Sequence, residues 1–195
     1  MITRFSLKGI ILDLEMNQPS GRIIQIGAVL CDYKAKRIVD EFNQYCLLPK
    51  EETLDPFIAK LCGIEEVLLK ETGVELADAA AAFWQWLENC KCGFHLGAWG
   101  SDVYELKKQS QQLGVSVPTR LKSLNIKEMG VLWRMAKGGK SKGGLLNTMT
   151  LFGLPFDGRQ HCALADSKNT ASLVFKWCKM QESYLAIEKL VKPNS

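Results

Sequence analysis

Three short apolar runs crowd the first quarter of the chain, and they restrict its fold more than anything that follows. Gly9 to Leu12 leads into Asp13 and is followed by the turn-like stretch Asn17-Gln18-Pro19-Ser20-Gly21. Ile23 to Leu30 is a second run rich in β-branched residues, and Ile38 to Leu48 is a third after the charged turn Lys34 to Arg37. Runs of this length, bounded by such turn residues, read as strands, and three in succession predict an antiparallel meander. From Leu76 the pattern changes. Ala80, Phe83, Leu87 and Cys90 follow helical spacing, Phe94 to Trp99 reads as another strand, and Asp102 to Leu113 reads as a helix. Leu145 to Phe152 and Ala163 to Cys178 predict two further helices, with a last amphipathic segment from about Glu182 to Val191. Strands first and alternating elements afterwards predict an α/β fold: a mixed central sheet, antiparallel meander plus parallel strands, flanked by helices.

A chain of 195 residues with 47% hydrophobic content fits one domain with a sizeable core. There is no internal repeat and no linker to divide it. The expectation is a single domain over residues 1–195, its motif-bearing part at about 8–180 and a C-terminal helix and tail at 181–195. No apolar run approaches a membrane span, and Met1 to Leu7 lacks the succession of a signal peptide. The sequence therefore predicts a cytoplasmic protein with no membrane partner. Its seven cysteines are an odd number scattered along the chain, which reads as reduced core thiols. A zinc site on Cys90, Cys92 and His95 would need a fourth ligand and a spacing that Cys-Lys-Cys does not offer. A net charge of +4 permits a polyanionic partner without demanding one.

The one low-complexity patch, Lys137 to Gly144, contains Gly-Lys-Ser, but the first glycine of a phosphate-loop motif would fall on Arg134. What remains is a basic loop, either a solvated connection or a grip on the phosphates of a passing strand.

Chemistry concentrates in five residues: Asp13, Glu15, Asp102, His161 and Asp166. Side chains two apart on a strand share a face, so Asp13 and Glu15 present their carboxylates side by side. Alone, two acids on a strand can equally be a solvated edge. Asp166 is four, seven and eleven residues before Thr170, Leu173 and Trp177, the buried stripe of a helix packed on the sheet, so it points inward. An inward carboxylate is costly unless paired or bound to a cation, and Lys168 lies on the wrong side of the turn. Asp102 opens a helix, where an acid serves as a cap as readily as a ligand. His161 lies in the loop before the last long helix, and an imidazole, with its ordinary pKa of about 6.5, suits a general base acting on water. His95 falls in an apolar strand and reads as a packed core side chain. Hard oxygen donors beside a base are the ingredients of two-metal phosphodiester hydrolysis.

Asp13-Leu14-Glu15, the run Ile24 to Val29, Asp102, and the run His161 to Asp166 together resemble the three exonuclease motifs of the DEDDh (DnaQ-like) family. That family includes polymerase proofreading epsilon subunits, ribonuclease T and three-prime histone mRNA exonucleases. Leu154 to Asn169 is most similar to the last of these, and the resemblance extends from about Ile10 to Trp177. It implies a ribonuclease H-like fold and a 3'-to-5' exonuclease that releases nucleoside 5'-monophosphates from DNA or RNA 3' ends. It also implies two Mg2+ ions, replaceable by Mn2+: Asp13, Glu15 and Asp166 on the first, Asp13 bridging to the second, Asp102 acting through its water shell. His161 would deprotonate the attacking water. By the same resemblance Leu14, Glu15 and Met16 grip the terminal nucleotide. Trp99 either stacks a base or is buried, and Leu145, Leu146 and Asn147 line the floor under the last bases, unless the two leucines are plain core. The alternative from another class is a catalytically inactive nucleic-acid-binding or adaptor module of the same fold. A protein partner or a homodimer is compatible with either.

Overall fold

Alternation of side chains along the first strand decides how the molecule is layered. The computed structural model describes residues 8–92, 95–140 and 142–191. Strand β1 (Lys8–Met16) pairs antiparallel with β2 (Ile23–Asp32), which pairs antiparallel with β3 (Arg37–Tyr45). On its other side β1 pairs parallel with β4 (His95–Ala98), and β4 with β5 (Lys122–Asn125), giving the order β3-β2-β1-β4-β5. The mixed sheet is that of a ribonuclease H-like fold, with β1 at its centre.

Even-numbered residues of β1, Ile10, Leu12 and Leu14, pack with helix α3 (Leu76–Asn89) and with Val103 and Leu106 of α4 (Asp102–Gln112). Ile11, of odd number, packs on the opposite face with Ile126 of α5 (Ile126–Ala136), with α6 (Leu145–Leu151) and with α7 (Ala163–Val191). Two short helices, α1 (Pro56–Cys62) and α2 (Glu66–Thr72), enclose a third cluster around Ile24. The carboxylate of Asp55 accepts from the backbone N–H groups of Phe57 and Ile58, Pro56 opens α1, and Gly63 closes it at φ 67°, a start-and-stop set typical of a short helix.

The meander and helices α3, α4, α6 and α7 stand where the sequence predicts them, with four departures. The third run stops being a strand at Tyr45, and Cys46 makes an isolated bridge to Val74 instead. The segments expected at Ala163 to Cys178 and from Glu182 are one helix, because Lys179-Met180-Gln181 offers no glycine or proline to stop it. Helices α1 and α2 and strand β5 are too short or too polar to announce themselves, and α5 carries Gly130 in its middle, which weakens a helical signal. His95 is exposed at the start of β4 rather than packed in the core, and Phe94 lies outside the described residues. All seven cysteines are free thiols, four of them buried. No helix among the described residues is long and apolar enough to cross a membrane.

Candidate active site

The sheet register brings the five residues together from four separate segments. Asp13 and Glu15 lie on the odd face of β1, toward α7. Their cross-strand partners on β2 are Gly27 and Gln25 respectively, and these same two residues hold the start of α7. The Gln25 side-chain oxygen accepts the Ala163 backbone N–H at 3.1 Å, and Ser167 Oγ donates to the Gly27 carbonyl at 2.8 Å. A Cβ on Gly27 would stand 2.2 Å from the Ala163 carbonyl carbon, so only glycine lets the helix come this close. The first turn of α7, which carries Asp166, is thereby pressed against the strand pair that carries the two acids. Asp102 arrives by the parallel neighbour: Leu12 is level with Ala98, so the chain leaves β4 beside Asp13 and turns into α4 at Asp102.

The loop before α7 is pinned at two points. The Asn169 side chain, 2% exposed, accepts the Asp157 N–H at 2.9 Å and donates to the Asp157 and Ala165 carbonyls at 2.8 Å. Arg159 donates to the Lys60 carbonyl at 2.7 Å, tying the loop to α1. His161 sits at φ 59°, a left-handed conformation that non-glycine residues adopt at some cost. That backbone turn lets its N–H donate to Asp166 Oδ2 at 3.2 Å while the imidazole stays exposed. One potential ligand atom from each of Glu15, His161 and Asp166 lies within 4.8 Å of the other two.

Electrostatics set the four carboxylates against one another. Burial, followed by the charges of Asp102, Asp166 and Glu15, raises the Asp13 carboxyl well above its ordinary range. Glu15 is pushed up to about 7, mainly by burial, against the opposing effect of the Cys62 thiol that donates to its Oε2 at 3.0 Å. Burial lifts Asp102 to about 6, and the neighbouring ammonium of Lys127 works against that rise. Asp166 is raised by burial too, opposed by the His161 N–H, and its Oδ1 is buried with no hydrogen-bond partner. Among the described residues no salt bridge reaches any of the four acids; Lys168, two residues beyond Asp166, pairs with Glu41 at 2.7 Å. Four crowded carboxylates, one with an orphaned buried oxygen, are hard donors that a divalent cation of the Mg2+ or Mn2+ class fits.

A cleft of about 410 Å³ opens over this cluster. Leu14, Trp99, Leu145, Leu146 and Asn147 line it together with Asp13, Glu15, His161 and Asp166. Met16 and Asp102 are outside the lining: Met16 belongs to the even face and packs against the α3 side, whereas Asp102 acts on the cluster through its charge. Lys127, Phe156 and Gln160 also line the cleft and were not singled out by the sequence. Gln25 and Gly27 were visible as a polar residue and a glycine inside a buried strand, but their grip on α7 needed the register.

The exonuclease family model RNase T matches residues 10–174. The chain belongs to that exonuclease family. It is 27% identical over 198 residues to the ERI1 exoribonuclease 2 of Mus musculus, a match covering 90% of this chain and 28% of that protein. It is 24% identical over 178 residues to the 3'-5' exonuclease Snipper of Drosophila melanogaster, covering 81% of this chain and 60% of that one. The chain thus spans less than two thirds of either relative. Among solved structures, the nuclease domain of 3'hExo, a DEDDh family member bound to rAMP, superposes with a TM-score of 0.76 at 23% identity over 91% of this chain and 94% of that one. Cell-death related nuclease 4 gives a TM-score of 0.78 at 19% identity, covering 90% and 65%.

Proposed function

We propose that the protein is a divalent-metal-dependent exonuclease that removes nucleotides from the 3' end of DNA or RNA strands. The observation that carries this reading is the set of four crowded acids, Glu15 buried and the others half-buried, with no salt bridge among the described residues, under an open cleft and beside an exposed imidazole. Family membership and the likeness to 3'-exonucleases support it.

Asp13, Glu15 and Asp166, with Asp102, are the residues that would hold Mg2+, or Mn2+ in its place. Such ions when bound lower the pKa of water and stabilise charge on the scissile phosphate and leaving oxygen. The chain's own groups do the rest. His161, exposed at the mouth and held by its backbone bond to Asp166, takes a proton from the attacking water at an imidazole nitrogen. The water oxygen forms the new bond to phosphorus, and the bond from phosphorus to the 3'-oxygen of the preceding nucleotide breaks. A nucleoside 5'-monophosphate leaves, and the shortened strand keeps a 3'-hydroxyl. The floor residues Leu145, Leu146 and Asn147 seat the terminal nucleotide, Leu14 meets it through its backbone because its side chain packs on the even face, and Trp99 is placed to stack on a base. Met16 contacts that nucleotide only through its backbone, since its side chain belongs to the other face.

A single strand labelled at its 5' end, incubated with the protein and Mg2+, should give a ladder shortened from the 3' end, with 5'-mononucleotides as the small product. Cutting of circular strands, or loss from the 5' end, contradicts the reading. His161→Ala should lower turnover by about 10²- to 10⁴-fold while metal uptake persists. Unchanged turnover in that variant removes His161 as the base.

A further inference from the structure

We infer that Lys127 is a backbone-gripping residue of the cleft, its ammonium engaging a phosphate of the bound strand beside the acidic cluster. This rests on the reading that the cleft takes a nucleic-acid strand. Lys127 is the only lysine or arginine among the described residues that line the cleft. It stands at the second position of α5, and its backbone is fixed there: the Asn125 side chain accepts the Lys127 N–H at 3.1 Å and donates to Glu128 at 3.0 Å. The adjacent acid is therefore engaged with Asn125, and among the described residues the Lys127 ammonium makes no salt bridge. The side chain is exposed, so packing does not account for it.

Charge gives the residue its task. Four carboxylates balance two divalent ions, which leaves the negative diester of each incoming nucleotide without a protein counterion. Lys127 is close enough for Asp102 to feel its charge. A phosphate of the strand that lies beyond the ions has no positive protein charge beside it but this ammonium among the described residues that line the cleft, and the ammonium at the rim gives it a partner. Lysine, as a compact point charge on a flexible stem, recognises the backbone without reading base or sugar. The contact therefore serves RNA and DNA alike.

The test is equilibrium binding of a fluorescein-labelled single strand of about 20 nucleotides, followed by anisotropy with Mn2+ present. It compares His161→Ala, in which turnover is expected to be slowed enough to follow binding, with the double variant His161→Ala, Lys127→Ala. The expected result is a Kd raised by about 5- to 20-fold, with the slope of log Kd against log salt reduced by about 0.7, the share of one phosphate contact on a single strand. Lys127→Arg in the same background should recover most of the affinity. Mn2+ uptake without nucleic acid should be unchanged or slightly tighter, because a cation near Asp102 has been removed. An unaltered Kd and salt slope, or no measurable binding by either protein, overturns the proposal. So does a loss of Mn2+ affinity that accounts for the weaker binding, since Lys127 would then act through the acids. If wild type degrades no strand under any metal, the exonuclease reading fails, and the binding ratio still judges Lys127 on its own.

Discussion

The two faces of β1 show what burial does to different side chains on one strand. On the even face Ile10, Leu12 and Leu14 are buried in one apolar cluster with residues of α3, α4 and β4. On the odd face Ile11 packs as well, but Asp13 and Glu15 follow it toward α7, where burial raises both carboxyls and no salt bridge among the described residues reaches them. One face is complete as folded. The other gathers carboxylates that no salt bridge among the described residues neutralises, and the proposed metal site rests on that contrast.

The sharpest way to break the contrast is to exchange its cost between faces. Asp13→Asn should lower turnover by at least about 10³-fold and raise the melting temperature of the metal-free protein, because a buried, repelled charge is gone. Leu12→Ala should do the reverse, costing about 2–5 kcal/mol of stability while leaving turnover per folded molecule near wild type. Paired melts and initial rates check both. If Asp13→Asn destabilises the metal-free protein, the odd face is not strained in the way described.

Second in size is the clamp behind the acids. Gly27→Ala puts a methyl group 2.2 Å from the α7 backbone, and a helix cannot yield as a flexible side chain would. A loss of about 2 kcal/mol or more is expected, together with lower turnover, because the start of α7 carries Asp166. Stability and turnover at wild-type values would show that α7 tolerates displacement.

The pH dependence of stability sharpens the comparison further. An acid whose folded pKa is raised binds more protons folded than unfolded in the interval between the two values. For Glu15 that interval runs from an ordinary 4.5 to about 7, and for Asp102 from 3.8 to about 6. The stability these groups contribute is present below the lower value and lost as pH rises through the upper one. The metal-free melting temperature should therefore fall by several degrees from pH 5 to pH 7.5, and Mn2+ should raise it more at pH 7.5 than at pH 5. Thermal melts with and without the ion at both values measure this. Equal stabilisation at the two values contradicts it.

The smallest effect concerns Cys62, whose thiol fixes one oxygen of Glu15 at 3.0 Å. Cys62→Val should reduce turnover by about 2- to 10-fold, and Cys62→Ser, which retains a donor, should reduce it less. Rates measured at saturating metal separate the two. Equal losses in both variants would place the effect in packing alone.

Much of this was legible in residue order. Period-two spacing put Asp13 and Glu15 on one face, and the stripe Thr170, Leu173, Trp177 turned Asp166 inward. Both are local periodicities that a sequence displays directly. Asp102 could not be separated from a helix cap, because its neighbourhood depends on β4 lying parallel to β1, a long-range pairing. Lys127 was invisible for the same reason: it follows a four-residue edge strand with little apolar pattern, and only the register brings it to the cleft. An apolar run such as Phe94 to Trp99 predicts burial throughout, whereas His95, at the start of β4, stands in solvent. The clamp residues Gln25 and Gly27 lay in plain view, but a glutamine at 0% exposure gains meaning only when the helix end it caps is known.

The account turns on whether the odd face of β1 holds divalent cations, and calorimetric titration of the metal-free protein with Mn2+ at pH 7.5 measures that directly. In buffers of differing ionisation enthalpy, the titration should show saturable uptake of about two ions per chain with protons released, because raised carboxyls must ionise to bind. Asp13→Asn should lose most of that uptake. No saturable uptake by the wild type, or equal uptake by Asp13→Asn, would contradict the account.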